Sequence, residues 1–279
     1  MMTDLNTLPI GIKTGATGLE GLFSYTAADV ETQMPIEVFG NPDIARAIDC
    51  YKEQLDSDFV SVLYSDLNVD LVPEDINLFL RYTVQFEDAE LYQQNTGLFV
   101  SNLIKKAYAN GHNNFTLNFE GLKPISFIGY EFEANKNNPA HFNIIGNVYE
   151  AVFGKSKNVS AFIKGNVGRD FGEESENLAV KVYGDCDMTF GYMSRNMVAF
   201  IKGNIKEQFA LNARDLSIIV DGEIDNSFGT FLTNLTLVTN QDFNYFQSKE
   251  HKIISGKDVI GKHELYHEIM AKIDERMTK

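Results

Sequence analysis

The residues best placed to do chemistry are His263-Glu264-Leu265-Tyr266-His267, near the C-terminal end of the chain. Two histidines four apart on a helix can share one zinc ion, with the intervening glutamate as general base. The surrounding sequence argues against a zinc peptidase. Glu268 puts a charge where such enzymes carry an uncharged residue, and only twelve residues follow the motif. Asp274 and Glu275 are too close to serve as a distant third ligand, which leaves an upstream residue as the one route to a metal site. Relative to the apolar stripe Tyr266, Ile269, Met270, Ile273 and Met277, His263 falls at the edge and His267 further toward solvent. His263, Glu264 and His267 are therefore read as the solvated shoulder of a helix, and no metal, cofactor or catalytic residue is expected.

Other candidates have equally plain readings. Asp185, Asp187, Glu223 and Asp225 could attract calcium, but the glycine-aspartate spacing of calcium-binding β-rolls is missing, so they read as a solvated acidic face. Arg169, Asp170, Glu173, Glu174 and Glu176 form a charged stretch. Paired carboxylates cut polysaccharides in some β-helix enzymes, but no matched pair recurs in register there, and the chain has no tryptophan to stack on sugar. GATGLEG lacks the lysine and hydroxyl of a phosphate loop. Cys50 and Cys186 read as reduced, buried thiols. Asn114, Asn158 and Asn234 match glycosylation acceptors, a by-product of a repeated asparagine followed by an outward polar residue.

What positions these residues is a repeat. Gly146, Gly165, Gly184, Gly203 and Gly222 recur every nineteen residues. Counting each glycine as position one, position thirteen holds Asn158, Asn177, Asn196, Asp215 and Asn234. Positions fourteen, sixteen and eighteen are then apolar (Leu178, Val180 and Val182, for example), with Thr239 the one exception. A period of two marks a strand with one buried face. Position three carries Val148, Val167, Cys186, Ile205 and Ile224, and position seven carries Phe171, Phe190, Phe209 and Phe228, read as core rather than a ligand-stacking stripe. A unit this short cannot bury its own face and must stack on its neighbours, so a single-stranded right-handed parallel β-helix is expected. The asparagine column then has a cause, since in-register amides can bond one another up the stack, whereas Asp215 would need a donor from elsewhere. The glycines are expected to give backbone freedom at a second corner.

The coil at 165–183, with Gly165, Val167, Gly168 and Gly172, resembles a glycine-rich repeat found in two families. One is the C-terminal domain of the large chain of glutamate synthase, and the other is the repeat-bearing component of formylmethanofuran dehydrogenase. This chain departs from them at the second corner, where those proteins favour paired glycines and it has Asn177-Leu178. The resemblance implies a right-handed β-helix with a structural, assembly role, the chemistry lying elsewhere in a complex.

Three segments follow. Residues 1–110 read as an α/β segment closing one end of the solenoid. It would hold strands at Ile36–Phe39, Phe59–Tyr64 and Ile76–Phe86, a helix from Asn41-Pro42 to about Leu55 and another from Thr96-Gly97 to Asn110-Gly111. Residues 111–245 are the β-helix: its first strand follows Asn114, an insertion falls near Tyr130–Asn138, and a degenerate coil is possible after Gln241. Residues 246–279 form a linker and a helix covering the last coil.

Composition bounds the function. Lys+Arg 24 against Asp+Glu 39 gives a net charge of −15, which disfavours nucleic acid and anionic membrane. MMTDLNTLPIG shows no basic region followed by an apolar run, and no apolar stretch reaches the ~20 residues that span a bilayer, so a cytoplasmic protein is expected. The expected function is a non-catalytic scaffold or protein-assembly module that works through protein partners or self-association. The alternatives are an accessory component of a redox or amidotransferase complex, and a hydrolase, either carbohydrate-active or zinc-dependent.

Overall fold

The computed structural model describes residues 41–55, 67–225, 231–242 and 251–278. Eight strands form one parallel sheet in chain order: β1 (Asn114–Asn118), β2 (Ala140–Ile145), β3 (Val159–Lys164), β4 (Ala179–Val182), β5 (Val198–Ile201), β6 (Arg214–Val220), β7 (Thr233–Thr239) and β8 (His251–Ser255). Neighbours in sequence are neighbours in the sheet and all run the same way. Each connection must therefore wrap around one shared interior, which makes a parallel β-solenoid.

From β2 to β7 partner residues lie nineteen apart, as in Ala161↔Val180 and Leu216↔Leu235. The sheet continues past Gln241 through a shorter coil, pairing Leu235 with His251. At the other end the register differs from the sequence expectation. Asn114 pairs with His141 and so does not belong to the asparagine column. The extra length of this first coil sits in two places. One is the corner before Ile125, which bridges Val148; the other is the Asn135–Asn138 turn, inside the expected insertion. A second wall is made by Val148, Val167, Cys186, Ile205 and Ile224, each bridging the next.

The inward columns are buried as the alternation requires: Leu178, Val180, Val182, Met197, Ala199 and Ile201 have no exposed surface. Each of the larger ones stabilises the stack by about 1.5–3 kcal/mol. Phe171 lies flat on Phe190 at 5.2 Å between ring centres, and Phe190 on Phe209 at 5.7 Å, so the phenylalanine column is core. Phe228 lies outside the described residues. Cys186 is fully buried and Cys50 only partly; burial raises the pKa of both thiols.

The glycine column has a different cause from the one expected. Of its five members only Gly146 adopts positive φ, +101°. A Cβ on Gly165, Gly184, Gly203 or Gly222 would run into the carbonyl of the glycine one coil before, so the column marks close backbone approach. Left-handed backbone occurs instead at positions occupied by other residues. All five members of the asparagine column take it, with φ from 53° to 59°, as do Lys155, Glu174, Met193, Asn212 and Phe231 one corner earlier. Asparagine and aspartate tolerate this conformation best, a second reason for their place at position thirteen.

Ahead of the sheet lie α1 (Pro42–Gln54), α2 (Pro73–Tyr82) and α3 (Tyr92–Ala109). Helix α1 starts as the sequence indicates, with Asn41 Oδ1 accepting from the Asp43 N–H at 3.0 Å. The strand expected at Ile76–Phe86 is instead α2 followed by one 3-10 turn over Thr83–Phe86. Pro73 presets the first turn, Glu74 and Asp75 complement its N-terminal dipole, and Asp75 accepts from the Asn41 amide at 2.7 Å. Ile76, Phe79, Leu80 and Thr83 are buried at helical spacing, whereas Leu78, essential to the strand alternation, is 41% exposed. The strands expected at Ile36–Phe39 and Phe59–Tyr64 lie outside the described residues.

Helix α3 begins at Tyr92, earlier than Thr96-Gly97, and Gly97 sits inside it because a side chain there would strike the Ser126 carbonyl. Helices and first coil are tied by polar contacts. Asn77 Oδ1 accepts from the Asn118 N–H, and Ser101 Oγ donates to the Phe127 carbonyl while accepting from the Gly129 N–H.

Candidate functional site

The fourth helix, α4 (Glu264–Thr278), sets the geometry of the remaining surface. The sequence places it over the last coil. It runs instead across the outer face of the sheet, in contact with β6, β5, β4 and β3. The cause is visible one column over from the core. Positions fifteen and seventeen point outward, and there β1 and β2 carry Asn114, Thr116, His141 and Asn143. From β4 to β7 the same columns supply Ala179, Val198, Phe200, Ile219 and Val238. Leu265, Ile269 and Ile273 of α4 pack on this strip, flanked by Tyr266, Met270 and Met277. Lys181 donates to Asp274 at 2.5 Å beside the apolar seam. Apolar outer columns are a readable sign that a sheet is covered on both faces, and the inward columns alone do not carry it.

The helix also fixes the histidines. It begins at Glu264, so His263 stands just outside it, its Nδ1 accepting the Leu265 N–H at 3.1 Å as a capping group. Glu264 and His267 are exposed on the face turned away from the packed stripe. No group of three His, Cys, Asp or Glu side chains arranged to hold a metal ion occurs among the described residues.

The asparagine column forms the expected amide ladder. Asn158 Nδ2 donates to the Ala134 carbonyl, Asn177 Nδ2 to Asn158 Oδ1 at 2.9 Å, and Asn196 Nδ2 to Asn177 Oδ1 at 2.5 Å. The next member should donate to Asn196 Oδ1, but Asp215 has no proton to give. Its carboxylate accepts from Asn234 Nδ2 instead, and the vacated acceptor on Asn196 is taken by Arg276 of α4. Arg276 donates to both the backbone and side-chain oxygens of Asn196, each at 2.8 Å.

A groove of about 210 Å³ runs beside this ladder. Its floor is Asn158, Asn177, Asn196 and Val159, and its walls are Lys136 and Pro139 of the Asn135–Asn138 turn region on one side and Arg276 on the other. Burial lowers the pKa of Arg276, with Glu275 acting the opposite way.

A second ladder, at position two, has no counterpart in the sequence reading. Asn147, Asn166, Asp185 and Asn204 each accept, through Oδ1, the backbone N–H of the equivalent residue one coil on, at 2.7–2.9 Å. Asp185 is thereby engaged, and Asp187 pairs with Lys206 at 3.2 Å. Arg169 pairs with Glu150 at 2.7 Å, and burial, then Asp170 and Glu174, raise the pKa of Glu173. Between β2 and β3, His141 Nδ1 meets Ser160 Oγ at 2.6 Å, and burial lowers the imidazole pKa. Both the second ladder and the His141–Ser160 pair need the observed register to be seen.

Compared with family models, curated proteins and solved structures, the chain matches none.

Proposed function

We propose that the protein is a non-catalytic scaffold that assembles with other protein chains or with itself. The observation that supports it most directly is where the in-register polar side chains go. A catalytic site spanning several coils would need its acids and bases in such columns, yet the carboxylates there, Asp185 and Asp215, accept bonds from the next coil. The outer face of β4–β7 is occupied by α4. What the solenoid offers beyond itself is surface: Tyr149, Tyr183 and Met188 stand partly exposed on its flanks, the sort of apolar and aromatic groups that anchor protein contacts.

A narrower reading makes it an accessory component of a redox or amidotransferase complex. The likeness of the 165–183 coil to the glycine-rich repeats of glutamate synthase and formylmethanofuran dehydrogenase supports it. Affinity purification of the tagged chain from its native host, followed by mass measurement of the intact assembly, tests both. A stoichiometric complex or homo-oligomer is expected, and a redox-active partner would favour the narrower reading. A lone monomer would count against both, and one that hydrolyses a polysaccharide or ester would put the hydrolase reading in their place.

A further inference from the structure

The groove beside the asparagine ladder brings two cations together on an acidic molecule in which several others are matched to carboxylates: Lys155 with Glu131, Lys157 with Glu133, Arg169 with Glu150 and Lys206 with Asp187. The two cations that wall the groove are Lys136 and Arg276, and no acidic side chain lines it, although the neighbouring Glu275 carboxylate acts on Arg276 from outside. Arg276 uses two of its five N–H donors on Asn196 and keeps three. Each floor amide uses one N–H on the coil before it and keeps the other, while each amide oxygen already accepts a bond. Two positive charges and a row of unused donors thus face a space too small for a macromolecule.

We propose that this groove binds a small oxyanion, a carboxylate or a phosphate. Arg276 and Lys136 supply the charge, and Asn158, Asn177 and Asn196 supply neutral donors along its length. Guanidinium N–H donors suit either oxyanion, and charge-assisted bonds of this kind are about twice as strong as neutral ones. The groove lies at the junction of the Asn135–Asn138 turn, the ladder and the end of α4, so an occupant would brace all three.

The test is calorimetric titration of the full chain with sodium succinate and, separately, inorganic phosphate, with ionic strength held constant by sodium chloride. Saturable binding of at least one anion is expected, and whichever binds tighter identifies the oxyanion. Arg276→Met, which keeps the apolar stem, should weaken it by about tenfold, and Lys136→Ala by about threefold or more. Lys206→Ala, on another flank, should leave it unchanged. Because Arg276→Met also frees the end of α4, the Lys136 variant is the independent arm. No saturable heat with either anion up to about 20 mM overturns the proposal, as does full affinity in Lys136→Ala.

Discussion

Arg276 donates two hydrogen bonds to Asn196, in the coil whose ladder partner should have been Asp215. One carboxylate in a column of amides leaves an acceptor open, and the terminal helix reaches back to fill it. Asp215→Asn should close the ladder through its own amide and compete with the guanidinium. The solenoid should gain about 0.5–1.5 kcal/mol in urea unfolding, while amide exchange in the last turn of α4 speeds up. Slower exchange there would mean the two donors do not compete.

Gly184 has an ordinary φ, yet a methyl group added there meets the Gly165 carbonyl and the Asn166 side chain. Gly184→Ala is expected to destabilise by about 3 kcal/mol, since backbone on the facing coil cannot step aside. Thermal unfolding measures it. A near-neutral result would show that the coils can separate locally at little cost.

Met193 is 43% exposed and held at φ 52°. A side chain in left-handed backbone costs about 1–2 kcal/mol, and glycine gives back part of that through the entropy of the unfolded chain. Met193→Gly should therefore stabilise by about 0.5–1 kcal/mol in the same unfolding assay. Destabilisation would show that the Met193 side chain makes contacts worth more than the strain.

Burial holds His141 below its ordinary value of 6.5. As pH falls through 6.5 the unfolded chain takes the proton first, so this group contributes stability above that pH and loses it between 6.5 and its lower folded value. His141→Gln should flatten the stability–pH curve in that window and leave the neutral end little changed. An unchanged slope would assign the acid sensitivity to the carboxylates.

For the histidines of the last helix, His267→Ala should change stability by less than about 0.5 kcal/mol, because the ring is exposed. Protein isolated without added metal should carry no stoichiometric zinc. Stoichiometric zinc that disappears in the variant would revive the hydrolase reading.

The strand alternation and the nineteen-residue spacing are enough to place the inward columns and the amide ladder, because a period of two and a fixed repeat translate directly into faces and register. The stretch at 76–86 misleads because apolar residues there satisfy both periods. Pro73, Glu74 and Asp75 decide for helix, and they lie just before the alternating window. The first coil misleads for a similar reason: Asn114 imitates the column, while its pairing with His141 is fixed by two separate insertions. The groove is invisible in the sequence, as Lys136, the ladder amides and Arg276 come together only when α4 folds back.

That fold-back gives the solenoid a defined length. Nineteen residues could be removed from the middle and the remaining coils would still stack, since every internal coil offers its neighbour the same surface. The strap cannot be shortened in step, so Arg276 would land beside a different rung and the greasy strip would slide out from under Ile269 and Ile273. A repeat that is interchangeable by itself becomes countable once one helix measures across it.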